Sequence, residues 1–600
     1  MGRRRGADEG AFTFDLEPEG DEEDATAPEP RAPRRTRWRR ARPQDPSPSA
    51  PLLIDLSVVD DVPPDPQDAA PAGAAGGRDA GDRVPGEGGL PVAVRRARGL
   101  LHGRRLLAGV VVATLALTAV VVDTIGDRGR VAALRSSPGG VLELSERPHE
   151  LWRVEVAGDV PGGLVGVAEG AVVVQVHDEL LGVDAASGEH RWQADLPEGV
   201  SSCGPGLDPW TGRFHVKPVS AVVCVSTPPG SDPGRSDRAT VTVVDAASGE
   251  VVAQRPAEVP EAMLFAGPDG GLVVAQWVGD APRFGDRDLE RLTVDELLSG
   301  AGEGLVTDGY DLQVRLEDAA TGKQRWQRTV RFDSGQDVSS CVAWNDDGTQ
   351  SAIELRGTVQ TVVLDRVLWV GGCGIDAWFT PSGVRLDRGG DPSASEGFSV
   401  LPLPSGGYVA QQEPDFGFPD RPGRLLRDDG SEVRSLDGTY LMPQSTDGGG
   451  GSVRLLRRSD RLVATGEDGE QLWSAGVAAA AVSVQTSRVA VVLDDTRGVI
   501  GLDLGTGDEL WAREELFDDV DPVALAYGPY LADGMFTDGR LAAFVVRDYV
   551  QGDVLHWIAV DVTSGEELWR FDVEGEDWGF HVAVDGHLVR WSPTAIVGLG

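Results

Sequence analysis

Val183-Asp184-Ala185-Ala186-Ser187-Gly188-Glu189-His190-Arg191-Trp192 holds an apolar run ending at Asp184, a four-residue turn, and a second run opening at Trp192. Asp hydrogen-bonds the backbone two residues on, and Gly supplies the positive-φ position such a turn requires. The pattern returns along the chain. Asp245 and Gly249 precede Val251 and Val252, with the tryptophan lost. Asp318 and Gly322 lead to Trp326, Asp503 and Gly507 to Trp511, Asp561 and Gly565 to Trp569. Glu467-Asp468-Gly469-Glu470 before Trp473 is a shortened copy. Each copy reads as a hairpin with strand periodicity on both sides. Further strand-like runs, such as 171–174 and 488–492, lie upstream, so the unit has four strands.

The two ends of the chain carry complementary halves of this unit. His149-Glu150-Leu151-Trp152-Arg153 reads like the Trp569 copy with no turn before it. Ala595-Ile596-Val597-Gly598-Leu599 reads like Val499-Ile500-Gly501-Leu502 with no turn after it. A repeat split across both ends is what a ring needs, the strand near Trp152 pairing with the C-terminal strand. We therefore expect an all-β, closed β-propeller, which removes exposed sheet edges by radial repetition. Six internal copies plus closure give seven blades. Pro381-Ser382-Gly383 and Asp428-Asp429-Gly430 are weaker turns. Counting one of them as a decorated loop gives about eight four-stranded blades, with seven and nine left open.

The turn resembles the repeat of pyrroloquinoline-quinone (PQQ)-like propellers, whose units carry a similar Ala-x-Asp-x-x-Thr-Gly-x-x-x-Trp signature. It lacks the Gly-His and Trp-Asp pairing of the WD40 type. The resemblance covers about residues 150–600. It implies the fold, and it raises a quinone-dependent dehydrogenase that holds its quinone with calcium near the axis, often against two adjacent cysteines. This chain has no adjacent Cys pair, and nothing singles out a catalytic Asp with calcium-ligating Glu and Asn. Other catalytic signatures are missing too: no Gly-x-Ser-x-Gly elbow, no His-Glu-x-x-His, no phosphate loop and no kinase signature. His581 and His587 flank a hairpin near the C-terminus and read as ordinary histidines. We expect no enzyme activity, no cofactor and no metal site.

The N-terminal hundred residues are a different material. Asp21-Glu22-Glu23-Asp24, a Pro-rich stretch at 27–51 and a Gly/Ala-rich stretch at 69–89 have few residues able to build a core, so 1–104 reads as a disordered tail. Within it, 34–40 is a basic cluster with Trp38, and 52–59 is an apolar island. These are candidates for an anionic-lipid contact and for a cytoplasmic partner. An uninterrupted apolar run from Leu106 to Val122 is just long enough to span a bilayer. Arg95, Arg96, Arg98, Arg104 and Arg105 precede it, and Asp123 and Asp127 follow. The positive-inside rule puts the tail in the cytoplasm and the propeller outside. We thus expect a signal-anchor helix at 105–123, a linker at 124–148 and an extracytoplasmic propeller at 149–600. A cleaved leader is the rival, though one this long is unusual and no small-x-small cleavage site stands out.

The cysteines agree with that orientation. Val200-Ser201-Ser202-Cys203 and Val338-Ser339-Ser340-Cys341 match, and Cys224 and Cys373 each follow one apolar strand later. We expect disulfides Cys203–Cys224 and Cys341–Cys373 between neighbouring strands of single blades, in an oxidising compartment. Zinc is the alternative, but no CxxC and no suitably spaced His supports it. The net charge of −41 lies almost wholly in the outer domain and argues against nucleic acid as a partner. Abundant Ala, Gly, Arg and Pro with two lysines fit a GC-rich bacterial genome.

What remains is surface for partners. Inside the long insertion at 279–310, Thr293-Val294-Asp295-Glu296 is a capping box that predicts a short projecting helix. Aromatics at 416–419 and 527–530, with Met535 and Phe536 nearby, are candidate binding elements on loops. The expected function is a non-catalytic binding or assembly scaffold of the cell envelope, with an unidentified protein or ligand partner. A transmembrane sensor and a degenerate quinoprotein are the alternatives.

Overall fold

The computed structural model describes residues 127–600 except 157–162, 206–217, 229–237, 281–307, 334–340, 345–349, 354, 388–397, 404, 413–421, 495–497, 519, 521–531, 549–553, 574–578 and 593. The expected tail, the expected span at 105–123, the capping box at Thr293 and the loop aromatics at 416–419 and 527–530 lie outside the described residues. Among the described residues, no helix is long and apolar enough to cross a membrane.

Short alternating apolar runs make strands along nearly the whole described chain. Among the described residues these form nine sheets of three to five strands and one two-stranded hairpin, Val342–Trp344 with Gln350–Ile353. In chain order, sheet 1 covers 163–195, sheet 2 200–257, sheet 3 262–330, sheet 4 360–379 and sheet 5 398–435. Sheet 6 covers 439–475, sheet 7 479–513, sheet 8 532–573 and sheet 9 580–599. Strands run antiparallel, except Ser445–Thr446, which pairs parallel with Ala479–Gln485 of sheet 7. Sheet 9 takes its last strand from the other end of the domain: Glu150–Glu155 pairs with Ala595–Leu599, Trp152 opposite Gly598 and Val154 opposite Ile596.

The core lies between sheets. Val165, Leu180 and Ala194 of sheet 1 cluster with Val222, Cys224 and Val244 of sheet 2. Val582, Val589 and Ile596 of sheet 9 likewise cluster with Leu164, Val172 and Val174 of sheet 1. Seven further clusters join the intervening neighbours. Apolar faces on both sides of each sheet explain why the strands read as near-continuous apolar runs. Met535 and Phe536 belong to this core, 4% and 2% exposed on the strand Ala532–Thr537, rather than to a binding loop.

Both weaker turns join paired backbone. Gly383, at φ 79°, sits between the strand Ile375–Phe379 and a bridge from Phe379 to Arg385. Gly430, at the same φ, joins Arg424–Leu426 to Glu432–Ser435. Neither is a decorated loop.

Both disulfides join the expected partners. Cys203 and Cys224 face each other across adjacent strands of sheet 2. Cys341–Cys373 differs from the expectation of neighbouring strands: Cys341 precedes the two-stranded hairpin, and Cys373 lies in the turn after Val367–Gly372 of sheet 4. The extra hairpin displaces Cys341 from the sheet, so this bond staples a connection to it.

The segment read as a linker is built into the domain from residue 127. A helix at 127–136 buries Leu134 completely. The strap after it, 138–144, threads along sheets 7 to 9. Gly139 accepts from the Thr537 amide at 3.0 Å, Val141 donates to Thr537 at 2.9 Å, and Leu142 donates to Gly586 at 2.9 Å.

Candidate interaction surface

Each full turn is held by its own aspartate. Asp184 Oδ1 accepts from the amides of Ala186 (3.0 Å) and Ser187 (2.9 Å) and from the Ser187 hydroxyl (3.0 Å). The Gly188 amide bonds the Asp184 carbonyl at 2.8 Å. Asp245, Asp318, Asp503 and Asp561 repeat the arrangement with Ser248, Thr321, Thr506, and Thr563 with Ser564. Arg191 and Arg325 then bind the second carboxylate oxygen of Asp184 and Asp318. Burial pushes the Asp184 carboxyl up, but Arg191 and the Ser187 donors outweigh it and hold it at about 2. The Ser248 hydroxyl and amide hold Asp245 below its ordinary 3.8, and Thr321 with Arg325 do so for Asp318. At Asp561, too, the turn donors outweigh the effect of burial.

The tryptophan latches each sheet to the next. Trp152 lies against Gly188, where an added Cβ would sit 2.6 Å from the ring, and its Nε1 donates to Ala185 O at 3.2 Å. Trp326 donates to Pro381 O and packs on Gly383; Trp473 donates to Leu504 O and packs on Gly507; Trp511 donates to Val562 O and packs on Gly565. Trp192 packs on Gly249 without that bond. Where the tryptophan is lost, other side chains take its place. Arg255 lies against Gly322, its Nε donating to Ala319 O at 2.8 Å and its Nη2 to Glu317. Arg434 does the same against Gly469, and Val384 with Leu386 fills the space at Gly430. In the last junction the strap substitutes for the missing turn: Trp569 Nε1 donates to Leu144 O at 2.9 Å. Sequence reading missed the two arginines and the strap, because neither carries the aspartate or tryptophan of the repeat.

The alternation of strands sorts the connections onto two faces. The Asp-x-x-Ser/Thr-Gly turns lie beside the turn joining the first two strands of their sheet, as bonds from Ala185 to Gly170, Ala319 to Gly270 and Val562 to Arg540 show. The helix at 127–136 docks on this turn face. Connections 279–310 in sheet 3, 331–359 between sheets 3 and 4, and 514–531 between sheets 7 and 8 leave from the opposite face, whereas 205–220 in sheet 2 and 441–453 in sheet 6 leave from the turn face. At the base of the first, Arg356 stacks over Tyr310 at 4.2 Å and Trp277 Nε1 donates to Gly357 O.

Polar residues are buried at the same face between sheets 8 and 9. Arg547 Nη2 donates to Gly579 O at 3.2 Å, and His556 Nδ1 lies 2.9 Å from Asp572 Oδ1. His581 is 1% exposed, edge-on to Trp557 at 4.9 Å and opposite Arg590 across the strand pair. Burial, with Arg590 and Arg547 adding to it, pushes His581 down to about 3. His587 pairs with Val584 at the other end of the same hairpin, so the two histidines do not meet. Among the described residues no group of three or more His, Cys, Asp or Glu is placed to hold a metal ion.

A family model described as outer membrane protein assembly factor BamB matches residues 137–366 and 435–548. Similar solved structures include BamB from Moraxella catarrhalis, 12% identical, covering 76% of this chain and 99% of that one, TM-score 0.33. The quinohemoprotein alcohol dehydrogenase from Comamonas testosteroni is 11% identical, covering 75% and 76%, TM-score 0.31. A europium-containing methanol dehydrogenase is 12% identical, covering 75% and 85%, TM-score 0.31. No curated protein matches the chain.

Proposed function

The chain belongs to the PQQ-like β-propeller family described as outer membrane protein assembly factor BamB, and on that premise we propose that it is a non-catalytic protein-binding or assembly scaffold of the bacterial cell envelope. A single span at 105–123 anchors it, with the tail at 1–104 inside and the propeller outside. We read the nine sheets as nine blades of one closed ring, one more than the eight expected. The sheet 9 to sheet 1 cluster and the shared strand Glu150–Glu155 support that count and that closure. The observation that carries the scaffold reading is the fate of the acids that the repeat supplies. Asp184, Asp245, Asp318, Asp503 and Asp561 are engaged by amides and hydroxyls of their own turns, and so organise backbone. The two disulfides favour the oxidising side of the membrane. Rigid sheets carrying long connections suit recognition of proteins.

Proximity labelling of the full-length protein in its own membrane, read by mass spectrometry, tests this. Recurrent capture of envelope proteins, reduced when 281–307 is deleted, is the expected result. Capture of cytoplasmic proteins alone, or tight binding of quinone with calcium to the purified protein, would sink it.

A further inference from the structure

We infer that the propeller is held with its turn face against the membrane, so that the opposite face points away from it. This rests on the anchor reading of 105–123. The apolar run ends at Val122, and the helix at 127–136 begins five residues later. That helix is fixed on the turn face. Leu134 is fully buried, Ala133 and Ser137 lie against Gly448, Arg135 reaches Asp585 at 3.9 Å, and Arg130 Nη1 donates to Asp538 O at 3.5 Å. The strap that follows is pinned across three sheets. Thr446 donates to Pro138 O at 2.9 Å, Ser445 Oγ to Gly139 O at 3.0 Å, and Leu144 to Asp538 Oδ2 at 3.3 Å.

Length then decides the orientation. Five residues reach at most roughly 17 Å when fully extended. A propeller of about 450 residues has a radius of gyration of roughly 22 Å, and its six-residue strands make it roughly 20 Å tall. A tether that short, leaving from the turn face, cannot bring the opposite face to the bilayer. The strand ends from which the connections 279–310, 331–359 and 514–531 leave therefore face the compartment rather than the bilayer.

All four native cysteines are in disulfides, so one added cysteine is the lone thiol of each variant. Ala247→Cys and Arg540→Cys place it on the turn face, Asp178→Cys and Asp460→Cys on the opposite face, all at exposed positions. Two positions per face keep the comparison if one variant misfolds. Full-length protein carrying an environment-sensitive fluorophore is reconstituted into phosphatidylcholine vesicles containing nitroxide-headgroup lipid. The expected result is quenching several-fold stronger at 247 and 540 than at 178 and 460. A 20-residue Gly/Ser insertion between Gly126 and Asp127 should abolish that difference. Equal or reversed quenching without the insertion overturns the orientation while leaving the anchor standing. Protein that fails to float with the vesicles refutes the anchor reading, and the orientation with it.

Discussion

At Asp184 one carboxylate oxygen serves two amides and a hydroxyl while the other holds Arg191. Its folded pKa of about 2 lies below the ordinary 3.8. The stability it contributes is therefore full above 3.8 and is lost as pH falls toward 2. Asp184→Ala should cost about 1–2 kcal/mol at neutral pH after allowance for solvent screening. The gap to the wild type should close between pH 3.8 and 2, as urea unfolding at a series of pH values would record. A gap independent of pH would mean the turn does not use the charge. His581 acts over a different window. Held neutral at about 3 in the folded state, it stabilises above its unfolded 6.5 and loses that contribution as pH falls through 6.5 toward 3. The wild type should lose about 1.4 kcal/mol per pH unit through this site in that range, and His581→Phe should flatten the slope. An unchanged slope in the variant would refute the assignment.

At the scale of the element, the unit is a turn and the latch that the preceding sheet lays on it. Gly188 and Gly565 stand at φ 72° and 67°, with Trp152 and Trp511 against them. Gly188→Val and Gly565→Val force a β-branched residue into a left-handed turn and a Cβ into a tryptophan. Each should lower the melting temperature by several degrees in a calorimetric scan, a cost of about 2–4 kcal/mol; unchanged melting in both would contradict the latch. Arg255→Ala strips a donor from Ala319 O and Glu317, at a cost of about 1–3 kcal/mol, and Arg255→Lys should recover only part because an ammonium lacks the planar fork. Chemical denaturation of the two variants distinguishes these outcomes. This scale also explains what the sequence made legible. Five turns spaced Asp-x-x-Ser/Thr-Gly stand out because the Gly amide bonds the Asp carbonyl four residues back, which demands that spacing. The turns at Gly383, Gly430 and Gly469 are one residue shorter, bonding Thr380, Arg427 and Gly466 three residues back. A shorter turn has no need of the repeat's aspartate, so its sheet hides from the repeat. The Gly469 copy announced itself through Trp473, whereas Gly383 and Gly430 read only as weaker turns. Arg255 and Leu144 were invisible for a related reason: a guanidinium and a backbone carbonyl perform the junction's chemistry without its usual residues.

At the scale of the molecule, nine sheets among the described residues pack each on the next, the strand Glu150–Glu155 completes the last of them, and the strap runs along the turn face. The cysteine pairing was readable because matched tetrapeptides placed Cys203 and Cys341 alike. The hairpin that moved Cys341 off its sheet left no comparable mark, since it lies in one connection and recurs nowhere else among the described residues. The scaffold proposed above would receive its protein partners on the face opposite the repeat's turns. The most direct measurement places a photo-crosslinking residue in turn at 178, 460, 247 and 540 of the full-length protein in living cells, followed by mass spectrometry of the adducts. A scaffold of this kind should give adducts with a recurrent set of envelope proteins from 178 and 460, and few from 247 and 540. Adducts arising mainly from 247 and 540, or none from any of the four positions, would contradict it.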